Sequence, residues 1–280
     1  MKNIVEVTTG KIEYSIKGEG PVVLVLPGGH NNCQTAYPGR DFTTSGFTML
    51  AVSRPGYGKT DISTGRESMS FADSLALLLN KLNINTVSVL GISAGGRTAL
   101  NFTSKYPEYV DKLILQCALT QDQWRNQKRD EDYGKRSRIM FNPRIERITW
   151  GLLRVFSYVS PNILLTMMMD DLSTLNSKDL VKNMDNDYKK RVIAYLRQSK
   201  SEKGFILDID HTVCDYSNIR CPTLLLYSSH DGVVDFSHAR YALERIQTAK
   251  LVDVETDSHF IWFGPNSYRV EQELIAFLRQ

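Results

Sequence analysis

A run of five consecutive apolar residues, Val22–Leu26, sets the strongest limit on how this chain folds. A strand without polar alternation is buried on both faces, as in a parallel sheet that helices cover. Further short β-rich runs follow along the chain: Thr48–Val52, residues 86–90, residues 113–116, Thr223–Tyr227 and residues 250–254. Segments with helical periodicity lie between or after them: residues 70–82, 95–106 and 237–246 and Ser267–Leu278. This alternation predicts the α/β class, with a mostly parallel central sheet, flanking helices, and ligands at the carboxyl ends of the strands.

The alternation stops between about residues 119 and 205, where no run predicts a strand. Residues 144–159 and 185–200 have the periodicity of amphipathic helices, and a proline opens another apolar segment at residues 161–169. Helices inserted between two strands predict a helical cap, or lid, over the carboxyl edge of the sheet. We therefore expect a core of residues 1–118 and 206–280 and a cap of residues 119–205.

Composition and charge exclude several classes of protein. The 280 residues are 42% hydrophobic and 23% charged, which are ordinary globular values and argue against disorder. The net charge of +3 is too small to suggest a nucleic-acid partner. It is unevenly placed, because residues 119–205 contain 17 Lys and Arg against 11 Asp and Glu, a net of +6. Such a cap could attract an acidic substrate or an anionic lipid, although a solvated face explains the charge more simply.

The cysteines and the first residues indicate the compartment. Cys33, Cys117, Cys214 and Cys221 form no Cys-x-x-Cys pair and no ligand-like group with histidines, which fits a reducing environment. The amino-terminal segment, with an acid at Glu6, predicts a strand and not a signal peptide, and no apolar run is long enough to cross a bilayer. We expect a cytoplasmic protein without stable membrane association.

A serine between two glycines is the candidate nucleophile. Ser93 is the centre of residues 91–95, Gly-Ile-Ser-Ala-Gly, between a predicted strand and a predicted helix. The pattern Gly-x-Ser-x-Gly is weak alone, but this position is typical of a nucleophile elbow, whose turn exposes the hydroxyl above the sheet. A purely structural interpretation gives the glycines a role in strand–helix packing.

A serine hydroxyl needs a base within hydrogen-bond reach and a carboxylate that orients the base. His259 follows the last predicted strand, where a loop can return it over the sheet edge, so we expect it to be the base. Asp231 follows the run Thr223–Tyr227 and is the expected acid. The alternatives are His30, His211, His230 and His238 for the base, and Asp235 and Asp257 for the acid.

Attack on a carbonyl creates an oxyanion that needs preorganised donors. One predicted donor is the backbone N–H of Ala94, at the positive end of the helix that follows the nucleophile. The second is the backbone N–H of Gly29 in residues 27–31, here called the oxyanion loop, because consecutive glycines let the backbone approach a ligand closely. His30 and Asn31 could assist the oxyanion or only brace the loop. The chemistry requires no metal and no organic cofactor.

Together these motifs resemble the α/β-hydrolase superfamily over nearly the whole chain. Four stretches carry the resemblance: residues 22–29, 53–60, 91–95 and 222–231 with His259. The first is similar to the family's strand and oxyanion loop, with Pro-Gly-Gly where many members have His-Gly. The second is similar to its Asp-x-Pro-Gly-x-Gly-x-Ser loop, with Ser53 in place of the leading aspartate. The others resemble the nucleophile elbow and the acid and base segments, in the family's chain order Ser, Asp, His.

The resemblance implies a capped serine hydrolase that cleaves a small-molecule carboxylic ester through an acyl-enzyme. A proline iminopeptidase-like amidase, which the Pro-Gly-Gly loop resembles, and a carbon–carbon bond hydrolase are alternatives within the family. A non-catalytic ligand receptor on the same fold is the alternative from another class. Serine at the elbow argues against dehalogenases and epoxide hydrolases, which resemble this fold but use aspartate there.

Specificity is expected to lie in the cap. Apolar and aromatic side chains there could form an adaptable pocket wall, or could only hold the cap to the core. The candidate substrate-binding residues are His30, Trp150, Phe156, Leu164 and Met168. We expect the partner to be a small-molecule substrate, while the sequence leaves the oligomeric state open.

Overall fold

The computed structural model describes residues 2–123 and 127–280. Eight strands form one sheet: β1 Lys2–Val7, β2 Gly10–Lys17, β3 Val22–Leu26, β4 Thr48–Val52, β5 Val87–Ile92, β6 Val110–Gln116, β7 Thr223–Tyr227 and β8 Ala249–Asp253. The described residues also form ten α-helices: α1 Ser68–Lys81, α2 Gly95–Lys105, α3 Gln127–Met140, α4 Glu146–Val159, α5 Pro161–Leu172, α6 Ser177–Asn183, α7 Asn186–Gln198, α8 Gly204–Asp210, α9 Ser237–Arg245 and α10 Ser267–Leu278.

The strands lie in the order β1-β2-β4-β3-β5-β6-β7-β8. The pairs β1/β2 and β2/β4 are antiparallel, and all the remaining pairs are parallel. The predicted α/β class with a mostly parallel sheet is therefore confirmed. Because parallel strands point the same way, the loops after β3, β5, β7 and β8 meet at one edge of the sheet.

Strand β3 shows why an unbroken apolar run was required. Its side chains alternate between the two faces of the sheet. Leu24 and Leu26 belong to the apolar cluster that includes α1 and α2, whereas Val23 and Val25 belong to the cluster that includes α10. Both faces are covered, so a polar residue at any of these four positions would be buried without a partner.

Helices α3 to α8 lie between β6 and β7 in the chain, where the sequence predicts the cap. Backbone hydrogen bonds tie this insertion to loops at the carboxyl edge, among them Lys200 N–H to His30 O (2.8 Å), Thr174 N–H to His230 O (3.0 Å) and His259 N–H to Leu172 O (2.8 Å). The predicted cap boundary at residues 205 and 206 falls inside α8, and residues 124–126 of the predicted cap lie outside the described residues. In the described part of the chain, no helix has the length and apolar character needed to cross a membrane.

Candidate active site

Ser93 lies on the sharp turn between β5 and α2. Its backbone φ is +48°, a left-handed conformation that is uncommon for a residue with a side chain. Its N–H donates to Gln116 O at 3.0 Å, and its carbonyl accepts from the N–H groups of Gly96 and Leu119, both at 2.9 Å. A strained residue held by several such bonds is typical of a functional site.

The glycines beside Ser93 are required by close packing. A Cβ atom on Gly95 would lie 2.3 Å from Leu26 O, and one on Gly91 would lie 2.6 Å from Ala99 Cβ. Neither position admits a side chain, so the end of β3 lies directly against the start of α2. The glycines thus have the packing role that the structural interpretation gives them. That role does not explain which side chains lie next to the serine hydroxyl.

The structure brings Ser93, His259 and Asp231 together. His259 Nε2 lies 3.1 Å from Ser93 Oγ, and His259 Nδ1 lies 2.7 Å from Asp231 Oδ2. The second carboxylate oxygen, Oδ1, accepts from the N–H groups of Val233 (2.7 Å) and Val234 (2.9 Å), which fixes the plane of the carboxylate. A neutral imidazole that donates Nδ1–H to this carboxylate presents the lone pair of Nε2 to the serine.

Four of the six alternative bases and acids make hydrogen bonds elsewhere. His30 Nδ1 lies 2.8 Å from Ser201 Oγ, and His211 Nε2 lies 3.1 Å from a backbone carbonyl. His238 Nδ1 accepts a backbone N–H at 2.9 Å, and Asp235 accepts a backbone N–H at the start of α9. Of the candidates, His259 and Asp231 are the pair that forms a continuous hydrogen-bond chain to Ser93.

The oxyanion loop lies against the serine and is anchored on both sides of Gly29. A Cβ atom on Gly28 would lie 3.1 Å from Ser93 Cβ. Before Gly29, the carbonyl of Pro27 accepts from Arg54 Nε at 2.9 Å. After it, the carbonyl of Gly29 accepts from Asn31 Nδ2 at 2.8 Å, so Asn31 braces the loop. The peptide that carries the Gly29 N–H therefore lies between two anchored peptides.

A buried carboxylate in α8 holds these anchors. Asp208 binds the Arg54 guanidinium through two N–H···O bonds, one of them 2.7 Å from Nη2 to Oδ2. Asp208 Oδ2 also accepts from the Tyr57 hydroxyl at 2.6 Å, and Tyr57 Oη accepts the His30 N–H at 3.4 Å. Burial alone would raise the pKa of Asp208, but the facing guanidinium outweighs it and holds that pKa below its ordinary value. Arg54 and Asp208 therefore form an ion pair, and its hydrogen bonds hold the oxyanion loop in place.

The sequence did not indicate this network. Arg54 and Asp208 are separated by 154 positions, and residues 53–60 were informative only as a family-like loop. A buried arginine needs acceptors for its N–H groups, but no local pattern says which residues supply them. The partner is identified only by the packing of α8 under the sheet edge.

Trp150 and His30 come together in an aromatic cluster beside the oxyanion loop. The His30 ring lies on Phe205 with a centroid distance of 3.8 Å and meets Trp150 at 5.3 Å. Ser201 joins the two predicted residues, because its hydroxyl oxygen is 2.8 Å from His30 Nδ1 and 2.8 Å from Trp150 Nε1. Burial lowers the pKa of His30 to about 3, so this imidazole is neutral at physiological pH.

The structure does not bring the other predicted pocket residues to this cluster. Phe156 is 47% exposed on the outer face of α4, whereas Trp150 is buried on the opposite face, so the place of Phe156 in a pocket wall stays a prediction. Leu164 is buried within α5, and Met168 packs against the apolar cluster that contains Leu165 and Met169.

Among the described residues, one group could offer three ligands to a metal ion. Ligand atoms of Cys117, Asp231 and His259 lie within 4.8 Å of one another. Burial and the neighbouring Asp231 carboxylate raise the pKa of the Cys117 thiol, which keeps it protonated and a poor ligand. A metal would also have to displace the hydrogen bond between His259 and Asp231.

Comparison with known proteins places the chain in a family. Residues 21–264 match the family model for the alpha/beta hydrolase fold. The chain is 34% identical to "Uncharacterized hydrolase YcgS" of Bacillus subtilis (strain 168), over 99% of this chain and 99% of that protein. The protein therefore belongs to the α/β-hydrolase family, and it is a hydrolase.

Two further proteins are similar to this chain. A solved structure, an alpha/beta hydrolase fold protein from Nakamurella multipartita, superposes with a TM-score of 0.83 at 23% identity, over 100% of this chain and 99% of that one. It shows the fold. Over 113 residues, 37% of this chain and 38% of the relative, the chain is 33% identical to 2-hydroxy-6-oxo-6-phenylhexa-2,4-dienoate hydrolase of Comamonas testosteroni.

Proposed function

We propose that this protein is a serine hydrolase that cleaves a small-molecule carboxylic ester through an acyl-enzyme. The observation that carries the proposal is the hydrogen-bond chain from Ser93 Oγ to His259 (3.1 Å) and from His259 to Asp231 (2.7 Å). An alcohol oxygen next to an oriented neutral imidazole is an activated nucleophile. The same chain argues against a receptor that has lost its catalytic residues.

The proposed reaction has two halves. His259 Nε2 takes the hydroxyl proton as Ser93 Oγ attacks the ester carbonyl, and Asp231 stabilises the imidazolium that forms. The backbone N–H groups of Ala94 and Gly29 bind the oxyanion, and each contributes about 3 kcal/mol to stabilisation of the transition state. His259 then protonates the departing alkoxide, and in the second half it activates a water that releases the acyl group.

An ester fits this site because its leaving group needs one proton, which His259 supplies. Cleavage of a carbon–carbon bond leaves a carbanion, which also takes one proton but is a poorer leaving group than an alkoxide unless the substrate itself delocalises the charge. The other histidines of the site region and core, His30, His211 and His238, are hydrogen-bonded away from Ser93. The site as described offers a single acid–base residue in contact with the nucleophile.

Carbon–carbon bond hydrolysis is the second candidate, and the similarity to the Comamonas testosteroni enzyme favours it. That similarity covers little more than a third of each chain, so it leaves nearly two thirds of this chain unmatched. The two fully buried arginines, Arg54 and Arg97, are engaged by Asp208 and by backbone carbonyls. Their engagement favours a substrate without a carboxylate over a dienoate.

We also propose that residues 119–205 form a cap that controls access to Ser93. The support is that all three side chains of the triad are buried, with exposed fractions of 8% for Ser93, 4% for Asp231 and 6% for His259. The inserted helices cover the loops that carry them. A substrate would reach the serine only through this insertion or past its edge.

Labelling by a fluorophosphonate tests the nucleophile. The wild-type protein should react at one site, because an activated serine oxygen displaces fluoride from the probe and becomes phosphonylated. Ser93→Ala should abolish labelling and ester hydrolysis, and Ser104→Ala should leave both unchanged, since Ser104 lies at the far end of α2 and bonds to Asn218. Undiminished labelling of Ser93→Ala would refute the proposed nucleophile.

A substrate panel separates the candidate reactions. Nitrophenyl esters of short acids, prolyl nitroanilide and 2-hydroxy-6-oxo-6-phenylhexa-2,4-dienoate are compared by kcat/KM. We expect the ester to exceed the other two by at least about tenfold. A higher kcat/KM for the dienoate would replace the ester proposal with carbon–carbon bond hydrolysis while leaving the triad in place.

A further inference from the structure

Helix α4 has an apolar stripe on its outward face. The stripe consists of Ile145, which precedes the helix, and Ile148, Leu152, Val155 and Val159. Their exposed fractions run from 40% for Ile145 to 75% for Val159. The spacing of three, four, three and four residues places all five on one line along the helix.

This stripe is not the face that holds α4 to the rest of the protein. Trp150, Ser157 and Glu146 are buried on the opposite face, so α4 is already packed there. A helix on the surface of a monomer ordinarily turns polar residues to water. A contiguous exposed apolar surface of this kind marks a place where another molecule binds.

We propose that the stripe pairs with the same stripe of a second copy of this chain, with the two α4 helices antiparallel about a two-fold axis near Leu152. The alternating spacing of three and four residues is that of a helix-pairing seam, in which each side chain enters a gap of the facing helix. The stripe is also nearly symmetric about Leu152. Ile145 faces Val159 of the second copy, Ile148 faces Phe156 with Val155 beside it, and Leu152 faces its own copy, as a two-fold interface requires.

The exposed area suits such an interface. With Phe156, which lies beside Leu152, the stripe presents on the order of 600 Å² of surface per copy, taking roughly 180 Å² for each fully exposed residue. Two copies together reach about 1,200 Å², the lower limit of a standard stable interface. Gly151, next to Leu152, leaves open space at the position of a Cβ atom, so the second helix can approach there.

The charges favour the antiparallel arrangement. Residues 141–169 contain one carboxylate, Glu146, which is buried, and the exposed cations Arg144 and Arg147 lie at one end of the stripe. Parallel helices would place these cations beside their own copies. Antiparallel helices place them about 20 Å apart, since a helix rises about 1.5 Å per residue, and at that distance salt screens their repulsion.

An anionic membrane is the competing occupant of this surface. Fluid lipid does not require the apolar side chains of a helix to stand at fixed positions. A second helix does require it, because its side chains must enter the gaps of the stripe. The proposal concerns association and is independent of the proposed reaction.

Sedimentation equilibrium over about 1 to 100 µM protein measures the association directly. The wild type should dimerise, and Leu152→Glu should weaken dimerisation by roughly 100-fold or more, because it places two carboxylates on the axis. The matched control is Leu243→Glu, a similarly exposed leucine on α9, which should dimerise as the wild type does. Ester hydrolysis and circular dichroism verify that each variant is folded.

Cysteine cross-linking tests the register. Under mild oxidation, Leu152→Cys should form a disulfide with its own copy, and Ile145→Cys should cross-link only when it is mixed with Val159→Cys. Wild-type protein treated in the same way corrects for the native thiols. Four results would overturn the proposal. The wild type could stay monomeric, or Leu152→Glu could leave the dimer intact. Ile145→Cys could cross-link with itself, or a monomer could instead bind phosphatidylglycerol vesicles through the stripe.

Discussion

Replacing Asp208 by asparagine should weaken both the fold and catalysis, because one carboxylate holds both anchors of the oxyanion loop. Its two bonds to Arg54 position the guanidinium that donates to Pro27 O. Its bond to Tyr57 positions the hydroxyl that accepts the His30 N–H. Asparagine keeps the shape of the side chain but removes the charge and one acceptor.

The loss of stability follows from the burial of the pair. Arg54 and Asp208 are 0% and 2% exposed, so the variant leaves a guanidinium without its counter-charge and without access to water. Removal of one partner of a buried ion pair costs about 3–5 kcal/mol of unfolding free energy. The backbone carbonyl that remains bonded to Arg54 Nε offsets only part of this cost.

The expected loss of activity follows from the proposed role of the Gly29 N–H as an oxyanion donor. Removal of one oxyanion donor lowers kcat by about 10² to 10³. Asp208→Asn displaces the donor without removing it, so we expect kcat to fall by about 10- to 100-fold, with a smaller change in KM. Ester hydrolysis is measured at a temperature where the variant is fully folded, and urea unfolding gives its stability.

Two further variants separate positioning from stability. Arg54→Met combined with Asp208→Leu removes both charges, so stability should return to within about 2 kcal/mol of the wild type, while kcat should stay low because the anchors are still missing. Asp210→Asn, two residues along α8, removes an exposed carboxylate paired with Arg138 and should change stability by less than about 1 kcal/mol. Full activity of the double variant would refute the positioning role, and a stability change below about 1 kcal/mol for Asp208→Asn would refute the energetic argument.

Two other predictions concern His30 and Gly95. Burial lowers the pKa of His30 to about 3. Below about pH 6.5 the His30 imidazole therefore takes up a proton in the unfolded chain but not in the folded chain, so the free energy of unfolding falls as the pH falls. Urea unfolding at pH 7 and pH 5 should show that the wild type loses about 2 kcal/mol more than His30→Gln over this interval, and equal losses would contradict the burial of the imidazole. Gly95→Ala should cost about 3 kcal/mol or more and abolish activity, because its Cβ would lie 2.3 Å from Leu26 O. Gly134→Ala, in α3 with nothing near its Cβ position, should instead be neutral or stabilise the protein by up to about 1 kcal/mol.

The parts of the fold that local patterns control were predictable. Val22–Leu26, Thr48–Val52 and Thr223–Tyr227 have the bounds expected from their apolar runs, since a strand buried on both faces tolerates no polar residue. The expected acid and base could be chosen because each follows a strand, and the carboxyl ends of parallel strands share one edge. Contacts between distant segments were not predictable in this way. The exposure of Phe156 was not predictable either, because the apolar residues of α4 also occupy its outward face.

The division into core and cap that the sequence suggests separates residues that the structure ties together. Leu172, at the end of α5, accepts the backbone N–H groups of His259 (2.8 Å) and Gly232 (3.1 Å), so it contacts the loops of both the proposed base and the proposed acid. Asp208, in α8, holds the oxyanion loop through Arg54. Because Leu172 lies within the predicted cap, a variant without residues 119–205 would lose the bonds that hold the acid and base loops, although it would keep Asp208. The inserted helices are therefore part of the geometry around Ser93, because α8 and the end of α5 hold the loops on both sides of it.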